Sequence, residues 1–534
     1  MIVSNLKVSI KSNIILDDIS FVLNNNDKVG LVGVNGSGKS TLLKTLSSTI
    51  NKDSGIIKLN NEIIGYLKQE ISHEFDEYSI LDYIKYEVGI DKLESKLHEL
   101  ESNLTDENME EYSTILNEFL AIDGYSFEDN LKSILSGLLF DKTLESKIKT
   151  LSGGEKIKIL LASLLLRNDD ILLLDEPTNN LDIEAIKWLE NYLKNSSKKM
   201  IIVSHDEVFL DKIINKVFEL NNGKIKEYNM KYCEYLEELE SEYNRRYTEY
   251  TKAKEEKDKL KKQVEQASIW LNKGVSKKAH NDNDKIANNF AKERTNSSNV
   301  SKLKRNLNNI EIPEFEEKKK INFSFNFDDS KGNKDIIFNE LICGYKTFTT
   351  PIISLSIPFG TKLEIIGSNG SGKTTLLKTL LGQIEPINGK IIIGSGVKIG
   401  YISQDTLGSD IDDTILEYLT KNREDVNMSF IFILLDKFNI NYDDKDKLYK
   451  NLSPGQRTRV NLVKIALDKT NVLVLDEVTN HLDKEAIDLI CELVSVFKGT
   501  IISISHNRKY NEILESDVKL DIKTGEIEYK KINI

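Results

Sequence analysis

The chain has 534 residues, 39% of them hydrophobic and 30% charged, with a formal net charge of −12. That length exceeds what one hydrophobic core organises and fits two domains with connectors. No apolar run approaches the roughly 18 residues of a membrane span, the start MIVSNLKVSI lacks a signal-peptide pattern, and Cys233, Cys343 and Cys491 have neither disulfide-framework nor zinc spacing. A cytoplasmic protein with no membrane partner is expected.

In chain order, the first informative stretch is the apolar strand Val29-Gly30-Leu31-Val32, then GVNGSGKS at 33–40, then the helical pattern TLLKTL. Strand, glycine loop and helix are the context a phosphate-binding loop requires. Gly33, Gly36 and Gly38 let the backbone N–H groups of a loop containing Asn35 and Ser37 turn toward the β- and γ-phosphates of ATP. Lys39 adds a point charge, Ser40 offers a hydroxyl to Mg²⁺, and Thr41 continues the helix start. Gln69, in YLKQ after a short strand, is placed to touch metal and water.

KLESKLHELESNLTDENMEEYSTILNEFL, from Lys92, alternates charged and apolar residues at helical spacing around an Asn103–Asp106 break. A small helical hairpin at about 92–130 is expected. LSGGE follows at 151–155 and ILLLDEPT at 171–178, an apolar run delivering Asp175 and Glu176 to a sheet edge, as a buried parallel strand does. Asp175 would hold Mg²⁺, Glu176 would polarise the attacking water, and His205 in VSHD could contact the γ-phosphate.

From Leu236 to Leu271, steps of three and four fall on apolar or small residues, with Tyr243, Arg246 and Tyr250 on the seam. A helix from about 233 to about 270 would extend roughly 55 Å, with Val300, Leu303, Leu307 and Ile310 on its return. Residues 252–305 hold 15 Lys or Arg against 7 Asp or Glu, so this segment is +8 and the remainder −20. Its tip, about 270–284, offers Lys273, Lys277 and Lys278 to phosphates, and Trp270 and His280 for stacking.

The whole motif set then recurs: GSNGSGKT at 367–374, YISQ ending at Gln404, LSPGQ at 452–456, VLVLDEVT at 472–479 and ISHN with His506. The second loop supplies Gly367, Asn369, Gly370, Ser371, Gly372, Lys373, Thr374 and Thr375. Asp476 and Glu477 repeat the acid pair, and Thr374, Gln404 and Asp476 repeat the metal set. Between the copies the offset is 334 at the loop lysines, 335 from Gln69 to Gln404 and 301 from Leu151 onward, so the first copy carries 34 extra residues between Gln69 and Leu151. Pro454 stands where the first copy has Gly153, Gln456 where it has Glu155, and Val478 where it has Pro177; Tyr345 has no aromatic counterpart near Val8–Ile10. Two unequal ATP sites are expected.

These motifs resemble the Walker A, Q-loop, signature, Walker B, D-loop and switch-histidine motifs of ATP-binding cassette proteins. The resemblance implies head-to-tail pairing of the two cassettes. The site on Lys39 would be capped by Ser453, Gly455 and Gln456, and the site on Lys373 by Ser152, Gly153, Gly154 and Glu155. Tyr345 would stack on adenine. Tandem cassettes with a long basic connector further resemble the ABC-F ATPases, most of all their antibiotic-resistance branch.

The resemblance implies an α/β fold of two cassettes (1–228 and 316–534) joined by an antiparallel helical hairpin (229–315), hydrolysing ATP with Mg²⁺ as a monomer with intramolecular cassette pairing. Its partners would be the 70S ribosome at the E site, 23S rRNA and P-site tRNA, and not DNA. The activity implied is displacement of lincosamide, pleuromutilin or streptogramin A drugs. The alternatives are a housekeeping factor for stalled ribosomes and, more remotely, a transporter's ATPase subunit.

Overall fold

The computed structural model describes all residues except 12, 35, 69, 106–107, 277–300, 316–331, 346–347, 404–410, 422, 424–426, 439, 480–481, 483 and 531–534, and the side chains of 267, 270–276, 454 and 485. Asn35, Gln69, Gln404, Lys277, Lys278 and His280 therefore lie outside the described residues, and Trp270 and Lys273 are described only as backbone. Two compact units emerge, one of Met1–Tyr232 with Ile321–Ile534 and one of Cys233–Lys320.

The first unit contains both cassettes, each built on a six-stranded sheet. In the first the strand order is Ile64–Tyr66, Ile171–Asp175, Lys199–Val203, Lys28–Val32, Lys216–Asn221 and Lys224–Tyr228, parallel except at the last pair. Ile171–Asp175 and Lys199–Val203 are buried throughout, which is why they read as near-continuous apolar runs. The second sheet repeats this order: Ile399–Ser403, Val472–Asp476, Thr500–Ile504, Lys362–Ile366, Val518–Asp521 and Ile527–Tyr529. Beside each lies an antiparallel three-stranded sheet, Asn13–Val22, Ile2–Ile10 and Ser54–Lys58 in one cassette and Ile353–Ile357, Ile336–Ile342 and Asn388–Ile393 in the other. Within each cassette a core joins the facing sheets, Leu6, Leu16, Leu43 and Leu173 in the first, Phe338, Leu355, Leu377 and Val474 in the second.

The extra residues of the first cassette lie between the helices Ile80–Val88 and Phe127–Gly137. They form the helices Ile90–Ser102 and Met109–Ala121, closed by burial of Leu97, Ile115 and Phe119 and by a Lys96–Glu111 ion pair of 2.7 Å. In the second cassette the equivalent helices, Ile415–Thr420 and Met428–Lys437, follow one another closely.

The second unit contains a helix of 45 residues, Tyr232–Ser276. At 1.5 Å per residue it measures about 67 Å. It runs past the point where the tip was expected to begin, because no proline interrupts 232–276 and the lone Gly274 costs a helix only about 1 kcal/mol. Residues 301–309 are helical on the return, and Lys257 Nζ donates to the Ile310 carbonyl at 3.3 Å. Phe315 anchors the base, its ring centre 5.1, 5.6 and 5.4 Å from those of Tyr243, Tyr247 and Tyr250. Arg246, expected on this seam, is instead exposed and paired with Glu242 at 2.7 Å. Tyr243, Tyr247 and Tyr250 stand at i, i+4 and i+7, so the stripe steps by four and then three, and Tyr247 rather than Arg246 meets Phe315. Among the described residues no helix is long and apolar enough to cross a membrane.

Candidate active site

Each phosphate-binding loop begins at the end of a central strand and closes on its own lysine. In the first, Gly36 and Gly38 have φ of 82° and 103°, and Gly38 precedes the helix Lys39–Leu46. These left-handed conformations strain any residue with a Cβ. Lys39 Nζ donates to the carbonyls of Gly33 at 2.7 Å and Val34 at 3.2 Å. In the second, Lys373 Nζ donates to Gly367 at 2.9 Å and Ser368 at 3.1 Å. Burial lowers the Lys373 pKa, opposed by the nearby Glu477, Asp182 and Asp476 carboxylates.

Asp175 and Asp476 end their strands, and the next residues, Glu176 and Glu477, turn with φ of 51° and 49°. That left-handed turn is a strained conformation of the kind concentrated at functional sites. Glu176 Oε2 accepts the His205 backbone N–H at 3.3 Å, and His205 Nε2 lies 3.4 Å from Glu176 Oε1. Burial, then the Asp175 charge, pushes Glu176 up to about 8. In the second site His506 Nε2 is 3.9 Å from Glu477 Oε1. Burial, then Lys373, drives His506 down to about 4, so its imidazole is neutral near pH 7.

The metal-ligand candidates of the second site already converge: Thr374 Oγ1 donates to Asp476 Oδ1 at 3.3 Å. Tyr401 donates to Asp476 Oδ2 at 3.3 Å, while burial and then Glu477 lift the carboxyl to about 6. Tyr66, the counterpart of Tyr401, is pushed up to about 12 by burial and then by Asp175. These tyrosines were missed in the sequence, although their recurrence in YLKQ and YISQ was the available signal. Among the described residues, Asp175 Oδ2, Ser37 Oγ and Ser371 Oγ are buried with no hydrogen-bond partner. Uncommitted oxygens beside a lysine and a turned glutamate fit Mg²⁺ carried on a triphosphate. Asp175 with Ser40 and Asp476 with Thr374 would hold the metal, and Thr41 and Thr375 lie one residue along the same helices.

Both signature loops are capping boxes. Ser152 Oγ accepts the Glu155 N–H at 3.3 Å, and Glu155 Oε2 takes the Ser152 N–H at 2.7 Å and Lys142 Nζ at 2.9 Å. Against the upward push of burial, these donors hold Glu155 below the usual carboxylate range. Ser453 and Gln456 repeat the box, with Ser453 N–H on Gln456 Oε1 at 3.0 Å. Expected as ligand groups, the Glu155 and Gln456 side chains are committed to their helix starts and shape the loops. Gly153 and Gly154 open the first helix; Pro454 and Gly455 open the second.

The cassettes meet at the second loop. Asn369 donates its backbone N–H to Asp182 Oδ1 and its side-chain amide to the Asn180 carbonyl, each at 2.9 Å, and Asp182 Oδ2 is 3.3 Å from Lys158 Nζ. Lys484 and Lys509 reach Glu207 at 2.6 and 3.3 Å, and Arg508 pairs with Glu190. Tyr345 is half-exposed on a two-stranded hairpin with Phe348–Thr349. A Cβ added to Gly372 would lie 2.7 Å from Phe348, where Ile15 takes the same place against Gly38. Phe348 therefore faces the loop, and no motif signalled it.

The ABC transporter family model matches residues 16–179 and 351–480. The chain is 33% identical to the ATP-binding protein Uup of Buchnera aphidicola subsp. Schizaphis graminum, over 93% of this chain and 76% of that protein. It is 30% identical to ABC transporter F family member 2 of Arabidopsis thaliana, over 95% of this chain and 74% of that one. A solved complex of the archaeal ribosome recycling factor aABCE1 with the ribosomal stalk protein aP1 shares the fold, with a TM-score of 0.59 at 18% identity over 97% of this chain and 87% of that one. The chain binds ATP with Mg²⁺ and hydrolyses it, and it belongs to the ATP-binding cassette family, in its F branch.

Proposed function

We propose that this ATPase acts on the ribosome in the cytoplasm. ATP closes the cassettes, the closed form binds the E site, and the connector extends toward the P-site tRNA and the peptidyl transferase centre of 23S rRNA. The observation that carries this reading is the connector: a 45-residue helix in a segment charged +8. It is far longer than joining two domains requires, and its charge suits phosphate contacts. That a protein of the same fold is a ribosome recycling factor supports the choice of partner.

In this reading Glu176 and Glu477 polarise the attacking water, while His205 and His506 hold the γ-phosphate side. Loss of the γ-phosphate then releases the clamp. Lys273, Lys277 and Lys278 meet phosphates at the tip, and Trp270 and His280 shape it. The tip displaces lincosamide, pleuromutilin or streptogramin A drugs by distorting tRNA or rRNA. A second reading, relief of stalled ribosomes, is favoured by the similarity to both a bacterial and a plant protein over more than nine-tenths of the chain.

Susceptibility testing in a sensitive host separates the readings. Drug protection by the intact chain, lost on shortening 271–282 at equal protein level, supports displacement. Absence of protection by the intact chain, with improved growth on stalling messages, supports the second reading. Neither effect in any ribosome assay would remove both.

A further inference from the structure

The cassettes differ most where the first carries its helical hairpin. There, the helix Ile415–Thr420 of the second cassette passes to Met428–Lys437 through a short stretch bearing Lys421 and Arg423. These two border a cavity of about 300 Å³ floored by Tyr418. A third cation, Lys464, enters from the signature helix Pro454–Leu467, its Nζ 4.1 Å from the Tyr418 ring centre.

Lys421 is paired with Asp413 at 2.5 Å and Arg423 with Asp468. Among the described residues Lys464 has the aromatic face and no carboxylate within ion-pair distance. Burial lowers its pKa, and Arg423 and Lys421 add to that effect while Asp468 opposes it. A half-buried ammonium crowded by two cations is a site short of an anion. The internal repeat supplies a control: the position of Tyr418 is kept as Tyr83, whereas Lys421, Arg423 and Lys464 correspond to Tyr86, Val88 and Ser163. The cations belong to the second cassette only, and the motifs of ATP hydrolysis do not account for them.

We propose that this cavity is an anion subsite that takes a phosphate group. Among its described lining residues three cations stand against two carboxylates and leave one positive charge, which matches the single charge of a phosphodiester in an RNA backbone. The proposal does not depend on the ribosome reading, since the site is defined by its own charges.

The test uses the full chain, wild type and Lys464→Gln, with a single-stranded RNA oligonucleotide, inorganic phosphate and a polyglutamate peptide as separate probes. A charge-assisted contact of this kind predicts about a tenfold loss of RNA affinity in Lys464→Gln. The slope of log affinity against log salt should shallow by about 0.7, with recovery in Lys464→Arg and ATP turnover unchanged. Competition by inorganic phosphate identifies the phosphate itself as what is read; a Lys464-dependent RNA affinity without that competition identifies the nucleic-acid backbone as its source. Arg423→Gln, which leaves the Lys464–Tyr418 contact in place, carries the same prediction if Lys464→Gln lowers the melting temperature. RNA affinity and salt slope equal to wild type in both variants would overturn the proposal. So would Lys464-dependent binding of polyglutamate but not of RNA.

Discussion

Asp182 serves two donors at once, the Asn369 backbone N–H at 2.9 Å and Lys158 Nζ at 3.3 Å, in a buried setting. Asp182→Ala would leave a buried ammonium unpaired, which costs about 3 kcal/mol or more. A lower melting temperature, with ATP turnover at the Lys373 site reduced, is the expected result; unchanged melting would mean the pair is replaced by water. His506 makes a prediction in pH. Its pKa in the unfolded chain is the ordinary 6.5 and burial holds it at about 4, so between those values the unfolded state binds more protons. The stability it contributes is complete above pH 6.5 and falls with acidification, with about 2 kcal/mol gone by pH 5. Melting temperatures from pH 7 to 5 should decline less steeply in His506→Gln than in wild type.

The signature helices begin alike yet are chemically unequal. Pro454 sits at the first helical position, where its fixed φ suits the helix but no N–H can be donated toward an anion. Glu176→Gln and Glu477→Gln, made singly, should therefore trap ATP to different extents; identical turnover in the two would remove the argument. In the connector, Phe315→Ala removes the ring against which Tyr243, Tyr247 and Tyr250 pack. Losing a half-buried aromatic costs about 2 kcal/mol, and hydrogen exchange over 240–255 should quicken. The cassettes were legible in sequence because glycine loops, apolar strands and acid pairs impose local chemistry that survives without tertiary context. Recurrence of the whole set in the same order made them unmistakable. Tyr401 and Phe348 were not legible, since their roles arise only when separate strands bring them to Asp476 and Gly372. Arg246 misled because steps of three then four and of four then three share one 3.5-residue average, and only the placement of Phe315 selects Tyr247. The partner of the seam, Phe315, lies far along the chain and outside any periodic pattern.

At the scale of the molecule, two ATP sites are built from one chain and joined by ion pairs such as Lys484–Glu207 and by the Asn369–Asp182 contact. In the proposed function, cassette closure moves the long basic connector. Replacing Glu176 and Glu477 together by Gln removes the groups proposed to polarise water while leaving Lys39, Lys373 and the proposed metal ligands in place. Turnover should fall by about 10²- to 10⁴-fold. The measurement that tests the central claim most directly is sedimentation of this double variant with 70S ribosomes in ATP and in ADP. The account predicts that the variant pellets with ribosomes in ATP and stays in the supernatant in ADP; equal pelleting in both nucleotides, or none in either, would contradict ATP-gated ribosome binding.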